Sequence, residues 1–210
     1  MNGEIQVRLG GSGGQGLQLS SKIVAAALLR SGRTVALSQS YEPTSRGGVS
    51  QSDLVVGDGA AAIDYPLVTA LDYLVLLDEV AAPASLRLVK AGGVVLADAA
   101  RVDAAGLTSR GSTGTAEGGP GDGLIVRQLP FTELARSLGN ERIANIIALG
   151  ALIAAADLCP LATVRAVLRE ETPPKFLDIN VEALAAGHRL ISAPAPEALS
   201  RVGRFASGAV

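Results

Sequence analysis

Gly10-Gly11-Ser12-Gly13-Gly14-Gln15-Gly16 stands between a strand pattern and a helix pattern. Before it, Glu4-Ile5-Gln6-Val7-Arg8-Leu9 alternates apolar and polar residues with the period of a half-buried strand. After it, Leu17 to Leu29 has no proline and carries small or apolar residues on most faces, as a buried helix does. Gly11, Gly13 and Gly16 fall at the G-x-G-x-x-G spacing. Glycine lets the chain turn sharply and lets a ligand approach with no Cβ in the way. The open N–H groups at a helix start, with the positive end of its dipole, favour a phosphate or another anion. The same glycines also suit a tight strand–helix turn with no ligand, because the spacing alone has low specificity.

A nicotinamide dinucleotide is disfavoured as that ligand. Its site calls for an Asp or Glu about 20 residues on, at the end of the second strand, to bond the ribose hydroxyls. The second strand reads Thr34-Val35-Ala36-Leu37-Ser38-Gln39-Ser40 and has no acid, and Glu42 comes late, beside Pro43. A phosphate-bearing ligand other than NAD fits the pattern better.

Outward from the loop, strands are expected at Ile5–Leu9, Thr34–Gln39, Ser52–Gly57, Tyr73–Asp78 and Val94–Asp98, with a sixth at Leu124–Arg127. Helix patterns cover Gln15–Arg30 and Val80–Lys90, then Thr132–Leu138, Glu141–Ala156, Leu161–Glu170 and Val181–Leu190. This alternation predicts an α/β fold: a Rossmann-like, mostly parallel sheet with flanking helices and a helical C-terminal part. Ligands collect at the carboxyl ends of such strands, where the glycine loop, the 40–49 loop and Asp78-Glu79 all fall. Glu4, Gln6 and Arg8 put a polar face on a strand that is expected to be central. That face should meet water or a polar partner, which suggests a domain working within a larger assembly. Residues 104–123 are rich in Gly, Ser and Thr and read as a flexible loop, and 192–210 as an extension.

Composition narrows the function classes. A net charge of −2 gives no pull toward nucleic acid or an anionic membrane, and 3% aromatic residues without Trp argue against base-stacking platforms. Hydrophobic residues reach 48% against 18% charged, a globular profile whose surface should be unusually apolar or largely covered by partners. Cys159 is the one cysteine and His188 the one histidine, too few for an iron–sulfur cluster, a zinc site or a histidine triad. The start of the chain lacks the basic and apolar regions of a signal peptide. The apolar run 143–158 is interrupted by Asn145 and Asp157 and reads as a core helix, not a membrane span. A cytoplasmic protein without membrane insertion is expected.

Tyr41-Glu42-Pro43-Thr44-Ser45-Arg46-Gly47-Gly48 follows the second strand. Arg46 offers a planar guanidinium suited to phosphate or carboxylate, and Gly47 and Gly48 let the backbone fold close to what it holds. A plain surface loop with a solvated arginine explains these residues equally well. Taken together, Gly11-x-Gly13-Gly14-Gln15-Gly16 and Ser40-Tyr41-x-Pro43-x-x-Arg46-Gly47-Gly48 resemble the gamma subunit or domain of the 2-oxoacid:ferredoxin oxidoreductases. Asn145-Ile-Ile-Ala-Leu149-Gly150, Pro174-Lys175 and Asn180-Val181-Glu182-Ala183-Leu184-Ala185-Ala186-Gly187 match as well, so the resemblance spans about residues 5–191.

The resemblance implies one gamma-type domain over residues 1–191 in a non-autonomous subunit. Its complex oxidatively decarboxylates a 2-oxoacid to an acyl-CoA and passes electrons to ferredoxin or a similar acceptor. Thiamine diphosphate with Mg2+ would sit on alpha and beta subunits, and the clusters on an iron–sulfur subunit. Coenzyme A would be the co-substrate that this chain helps to place. The cofactor-binding residues it implies are Gly11, Ser12, Gly13, Gly14, Gln15, Gly16, Tyr41, Arg46, Gly47, Gly48 and Asn145; no catalytic residue and no metal ligand is assigned. Asn145 suits a ligand contact or a supporting role alike. Gly57-Asp58-Gly59 and Gly121-Asp122-Gly123 imitate a thiamine motif, but neither is followed by paired asparagines. Glu42 departs from the small residue or Gly of many members. A stand-alone nucleotide-binding oxidoreductase and a non-catalytic ligand-binding module are the competing classes.

Overall fold

Alternating side chains along β1 (Ile5–Ser12), β2 (Thr34–Tyr41), β3 (Val49–Gly57), β4 (Leu71–Leu76), β5 (Val89–Asp98) and β6 (Ile125–Leu129) build one sheet in the order β2-β3-β1-β4-β5-β6. The computed structural model describes residues 4–42, 47–59, 63, 65, 67–103, 107 and 123–192. β1, β4, β5 and β6 pair in parallel, as expected of a mostly parallel α/β sheet. β3 lies antiparallel between β1 and β2. The stretch from Glu42 to Gly48 is therefore a hairpin connection, far shorter than the dozen or so residues a parallel crossover needs. It brings the end of β2 to the carboxyl edge of β1.

The period of two sorts the core onto both faces of the sheet. Val7, Leu9, Leu54, Val56, Val75 and Leu96 face one cluster, and Val55, Leu74, Leu76, Val95 and Ala97 face the other. Helices α1 (Leu17–Arg30), α3 (Phe131–Ser137), α4 (Ala144–Ala156), α5 (Leu161–Glu171) and α6 (Leu177–Ser192) contribute to the first cluster, and α2 (Ala82–Leu86) to the second. Leu107, inside the expected 104–123 loop, is buried in the second cluster. The rest of that stretch, apart from Gly123, and residues 193–210 lie outside the described residues.

α4 is apolar all round and buried from Asn145 to Ile153. It crosses α6 in antiparallel fashion with almost no gap. A Cβ on Gly150 would overlap the Leu184 carbonyl oxygen, and one on Gly187 the Ile147 carbonyl oxygen. The two C-terminal motifs thus end on the glycines that let these backbones touch. Among the described residues no helix is long and apolar enough to cross a membrane.

Two expectations are corrected. The Val80–Lys90 helix is a 3-10 turn, Glu79–Ala81, followed by the five-residue α2, because Val89 already pairs with Leu71 in the sheet. The polar face of β1 needs no partner chain. Arg8 is 7% exposed and makes a bidentate pair with Asp53 on β3, at 2.7 and 2.8 Å. The Gln6 side-chain oxygen accepts from the Thr69 and Ala70 N–H groups.

Candidate functional site

β1 runs three residues past the expected Leu9, so Gly10, Gly11 and Ser12 pair with Gln51, Ser50 and Val49 and the open loop is Gly13 to Gly16. Gln15 folds back to stabilise it: its Oε1 accepts from the Ser12 N–H at 2.8 Å, and its Nε2 donates to the Leu77 carbonyl at 3.1 Å. A Cβ on Gly11 would overlap that Gln15 oxygen, so a larger residue there would push the Gln15 amide out of its place in the loop. Gly16 caps α1 in the left-handed region, with φ 74° and no side-chain cap. Gly13 donates its N–H to the Gly48 carbonyl at 2.9 Å, which ties the hairpin to the loop. Gly13 and Gly14 are exposed, and the Gly14 N–H has no backbone partner among the described residues.

Asn145, at the start of α4, holds the loop from the other side. Its Nδ2 donates to the Gly16 carbonyl at 3.1 Å, and its own carbonyl accepts from Ser20 Oγ at 3.4 Å. It is 5% exposed, yet it borders the cleft. The α4–α6 contact fixes this geometry, since it sets where the first turn of α4 stands relative to α1.

Around this loop opens a cleft of about 470 Å3 at the carboxyl ends of β1, β4 and β5. Ser12, Gly13, Gly14, Gln15 and Asn145 line it together with Leu77, Asp78, Asp98, Arg101, Thr132, Glu141, Arg142 and Ala144. Asp98 is fully buried and accepts from the Thr132 hydroxyl and, at 3.3 Å each, from the Thr132 and Ala100 N–H groups. Its carboxylate so caps the start of α3. Arg101 spans Glu141 at 2.5 Å and Asp78 at 3.6 Å. Arg136 also pairs with Glu141, at 2.9 Å. Hydrogen bonds from Arg136 and then Arg101 hold the Glu141 carboxyl below the usual carboxylate range. Each cleft carboxylate is already occupied by donors, so the arrangement serves binding better than acid–base chemistry.

Of the residues expected to bind, the structure gathers Ser12, Gly13, Gly14, Gln15 and Asn145 on the cleft, while Gly11 and Gly16 do not line it. Gln15 spends its amide on the loop itself. Gly48 acts through its carbonyl, and Gly47 turns the hairpin with φ 81°. Tyr41 is 66% exposed and does not border the cleft. Arg46 lies outside the described residues. Glu42 turns back on the hairpin, and its carboxylate accepts from the Val49 N–H at 3.4 Å. Lys175 stacks over the Phe176 ring before α6, so about 20 Å of helix separates it from the cleft end of the α4–α6 pair. Asp58 pairs with Arg33 at 2.9 Å, at the opposite end of the sheet. Asp98, Arg101, Glu141 and Arg142 were not singled out by the sequence, because they converge from separate strand ends and a 3-10 turn.

A family model described as pyruvate ferredoxin/flavodoxin oxidoreductase matches residues 6–190. The 2-oxoglutarate synthase subunit KorC of Archaeoglobus fulgidus is 34% identical over 158 residues, covering 75% of this chain and 73% of that one. The crystal structure of a keto/oxoacid ferredoxin oxidoreductase gamma subunit from Geobacter sulfurreducens superposes with a TM-score of 0.71 at 28% identity, over 90% of this chain and 99% of the other. The fold also recurs, with a TM-score of 0.74 at 21% identity, in a 2-oxoglutarate:ferredoxin oxidoreductase from Magnetococcus marinus bound to 2-oxoglutarate, coenzyme A and succinyl-CoA. That match takes in 93% of this chain and 32% of the longer one.

Proposed function

This chain belongs to the pyruvate ferredoxin/flavodoxin oxidoreductase family, and on that premise we propose that it is the gamma subunit of a cytoplasmic 2-oxoacid:ferredoxin oxidoreductase whose cleft helps place coenzyme A. The observation that carries the reading is the intact glycine loop opening onto a cleft in a chain matched by the family from residue 6 to 190. The Magnetococcus enzyme, which shares the fold, is described with coenzyme A bound.

The residues present fit a coenzyme A pyrophosphate or phosphate. The Gly14 N–H, which has no backbone partner among the described residues, would donate to an anion on the cleft, with the positive end of the α1 dipole behind it. Arg101 and Arg142 line the same cleft and add charge-assisted donors. Arg46, two residues before the Gly48 whose carbonyl accepts from Gly13, remains a proposed third cation.

Thiamine diphosphate, with Mg2+, supplies the electron sink for decarboxylation, and we assign it to alpha and beta partner chains. The one motif-like aspartate described here, Asp58, is committed to Arg33 away from the cleft. A buried single cysteine cannot hold a cluster, so electrons leave through an iron–sulfur subunit to ferredoxin or a similar acceptor. What this chain's own residues do is hold and orient: Asn145 and Gln15 fix the loop, and the loop and arginines receive the anion.

The test is reconstitution. The complete complex should reduce a viologen dye in the presence of a 2-oxoacid and coenzyme A, and the partner chains without this one should not. Tight NAD binding with hydroxyacid turnover by this chain alone would overturn the reading.

A further inference from the structure

Five charged side chains line the cleft, three carboxylates against two guanidiniums. Taken at face value that balance repels a phosphate, and the way the charges are partnered resolves the conflict. Asp98 is fully buried and its oxygens are taken up by the Thr132 hydroxyl and the Thr132 and Ala100 N–H groups. Glu141 has two arginines, Arg101 and Arg136, so it keeps a partner when either leaves. Asp78 accepts from the Val80 N–H at 3.2 Å as the cap of the following turn, and its contact with Arg101 is the longer one, at 3.6 Å. Arg101 can therefore depart without orphaning either carboxylate. Arg142 is exposed, borders the cleft and has no ion pair among the described residues.

Resting on the coenzyme A reading above, we propose that Arg101 and Arg142 form a two-arginine clamp for a phosphate group of the ligand, with Arg101 exchanging Asp78 and Glu141 for it. The exchange gives the cleft selectivity. A ligand without a phosphate gives Arg101 nothing in place of its carboxylates, whereas a phosphate dianion offers a better bidentate acceptor than two shared side chains. Arg136 then holds Glu141 alone, and the 3-10 turn Glu141–Ile143 that carries Arg142 keeps its position ahead of Asn145 on α4.

The clamp makes Arg101 and Glu141 act with opposite signs. In the assembled complex, Arg101→Ala and Arg142→Ala should each raise the KM for coenzyme A about tenfold, the loss expected for one charge-assisted contact, with a smaller change in kcat. Glu141→Gln should free Arg101 and lower that KM about threefold. Calorimetric titration of the same complexes with coenzyme A should give Kd values in the same order, and inorganic pyrophosphate should compete less well against both arginine variants. Arg101→Lys, which keeps the charge but not the fork, should fall between the wild type and Arg101→Ala. If Glu141→Gln weakens coenzyme A as Arg101→Ala does, the network is only a structural brace and the exchange is wrong. Unchanged Kd values in both arginine variants, with a wild-type complex that saturates with coenzyme A, overturn the clamp and leave the subunit reading standing. A wild-type complex that does not use coenzyme A overturns the coenzyme A reading on which the clamp rests. If Arg101→Ala fails to assemble, Arg142→Ala and Glu141→Gln decide.

Discussion

Gly187→Ala should cost the chain about 2 kcal/mol of stability, although alanine is the better helix former. The added Cβ would overlap the Ile147 carbonyl oxygen and lie 2.6 Å from the Ile147 carbonyl carbon, both backbone atoms of α4. Backbone cannot step aside as a flexible side chain does, so α4 and α6 must separate along a contact that is buried on both sides. Overpacking of this kind costs roughly 1–3 kcal/mol, and the upper end applies when the obstacle is backbone. Replacing a mid-helix glycine returns about 1 kcal/mol, leaving a net loss near 2 kcal/mol. For a chain of this size each kcal/mol moves the melting point by about 2–4 °C, so Tm should fall by roughly 4–8 °C. Circular dichroism at 222 nm through a thermal ramp measures this on the full chain. Ala162→Gly, at an exposed position of α5, gives the bare propensity effect for comparison. A Gly187→Ala chain as stable as the wild type, or more so, would show that the two backbones do not touch and refute the reasoning.

Three other outcomes follow from particular contacts. Arg8→Met removes one partner of an ion pair whose side chains are 9% and 13% exposed and should cost about 3 kcal/mol in urea denaturation, with Arg8→Met/Asp53→Leu recovering more than half; equal losses in the single and double variants would contradict it. Asn145→Ala should cost at most about 1 kcal/mol, because the Gly16 carbonyl still accepts from the Leu19 and Ser20 N–H groups. Hydrogen exchange across Gly13–Gln18 should nevertheless quicken, and an unchanged rate there would deny Asn145 its hold on the loop. Burial pushes the Cys159 thiol up to about 11, so at pH 8 its thiolate fraction should be about a hundredfold below that of an ordinary cysteine. Labelling by a thiol reagent should therefore await unfolding, and prompt labelling of the folded chain would contradict the burial.

The strands were legible because β4 and β5 carry short apolar runs and β1 alternates. Their order was less so. Period reveals which residues share a face but not which way a strand runs, and the antiparallel β3 was betrayed only by the short connection from Glu42 to Gly48. The Val80–Lys90 helix failed because apolar residues at helical spacing served a turn, Pro83 and the start of β5. At the site, local motifs were readable and convergent ones were not. The glycine loop and Asn145 announce themselves within a few residues, whereas Arg101 meets Asp78 and Glu141 only after three segments fold together. The glycines of the two C-terminal motifs turned out to act through packing: Gly150 and Gly187 bring α4 against α6 and so carry Asn145 to the loop.

The most direct test of the central claim is native mass spectrometry of the assembly recovered through a tag on this chain, from the cells that make it. The account predicts this chain together with thiamine-diphosphate-bearing and iron–sulfur-bearing subunits, in a complex that takes up coenzyme A. Recovery of this chain alone, or with partners that carry neither cofactor, would contradict it.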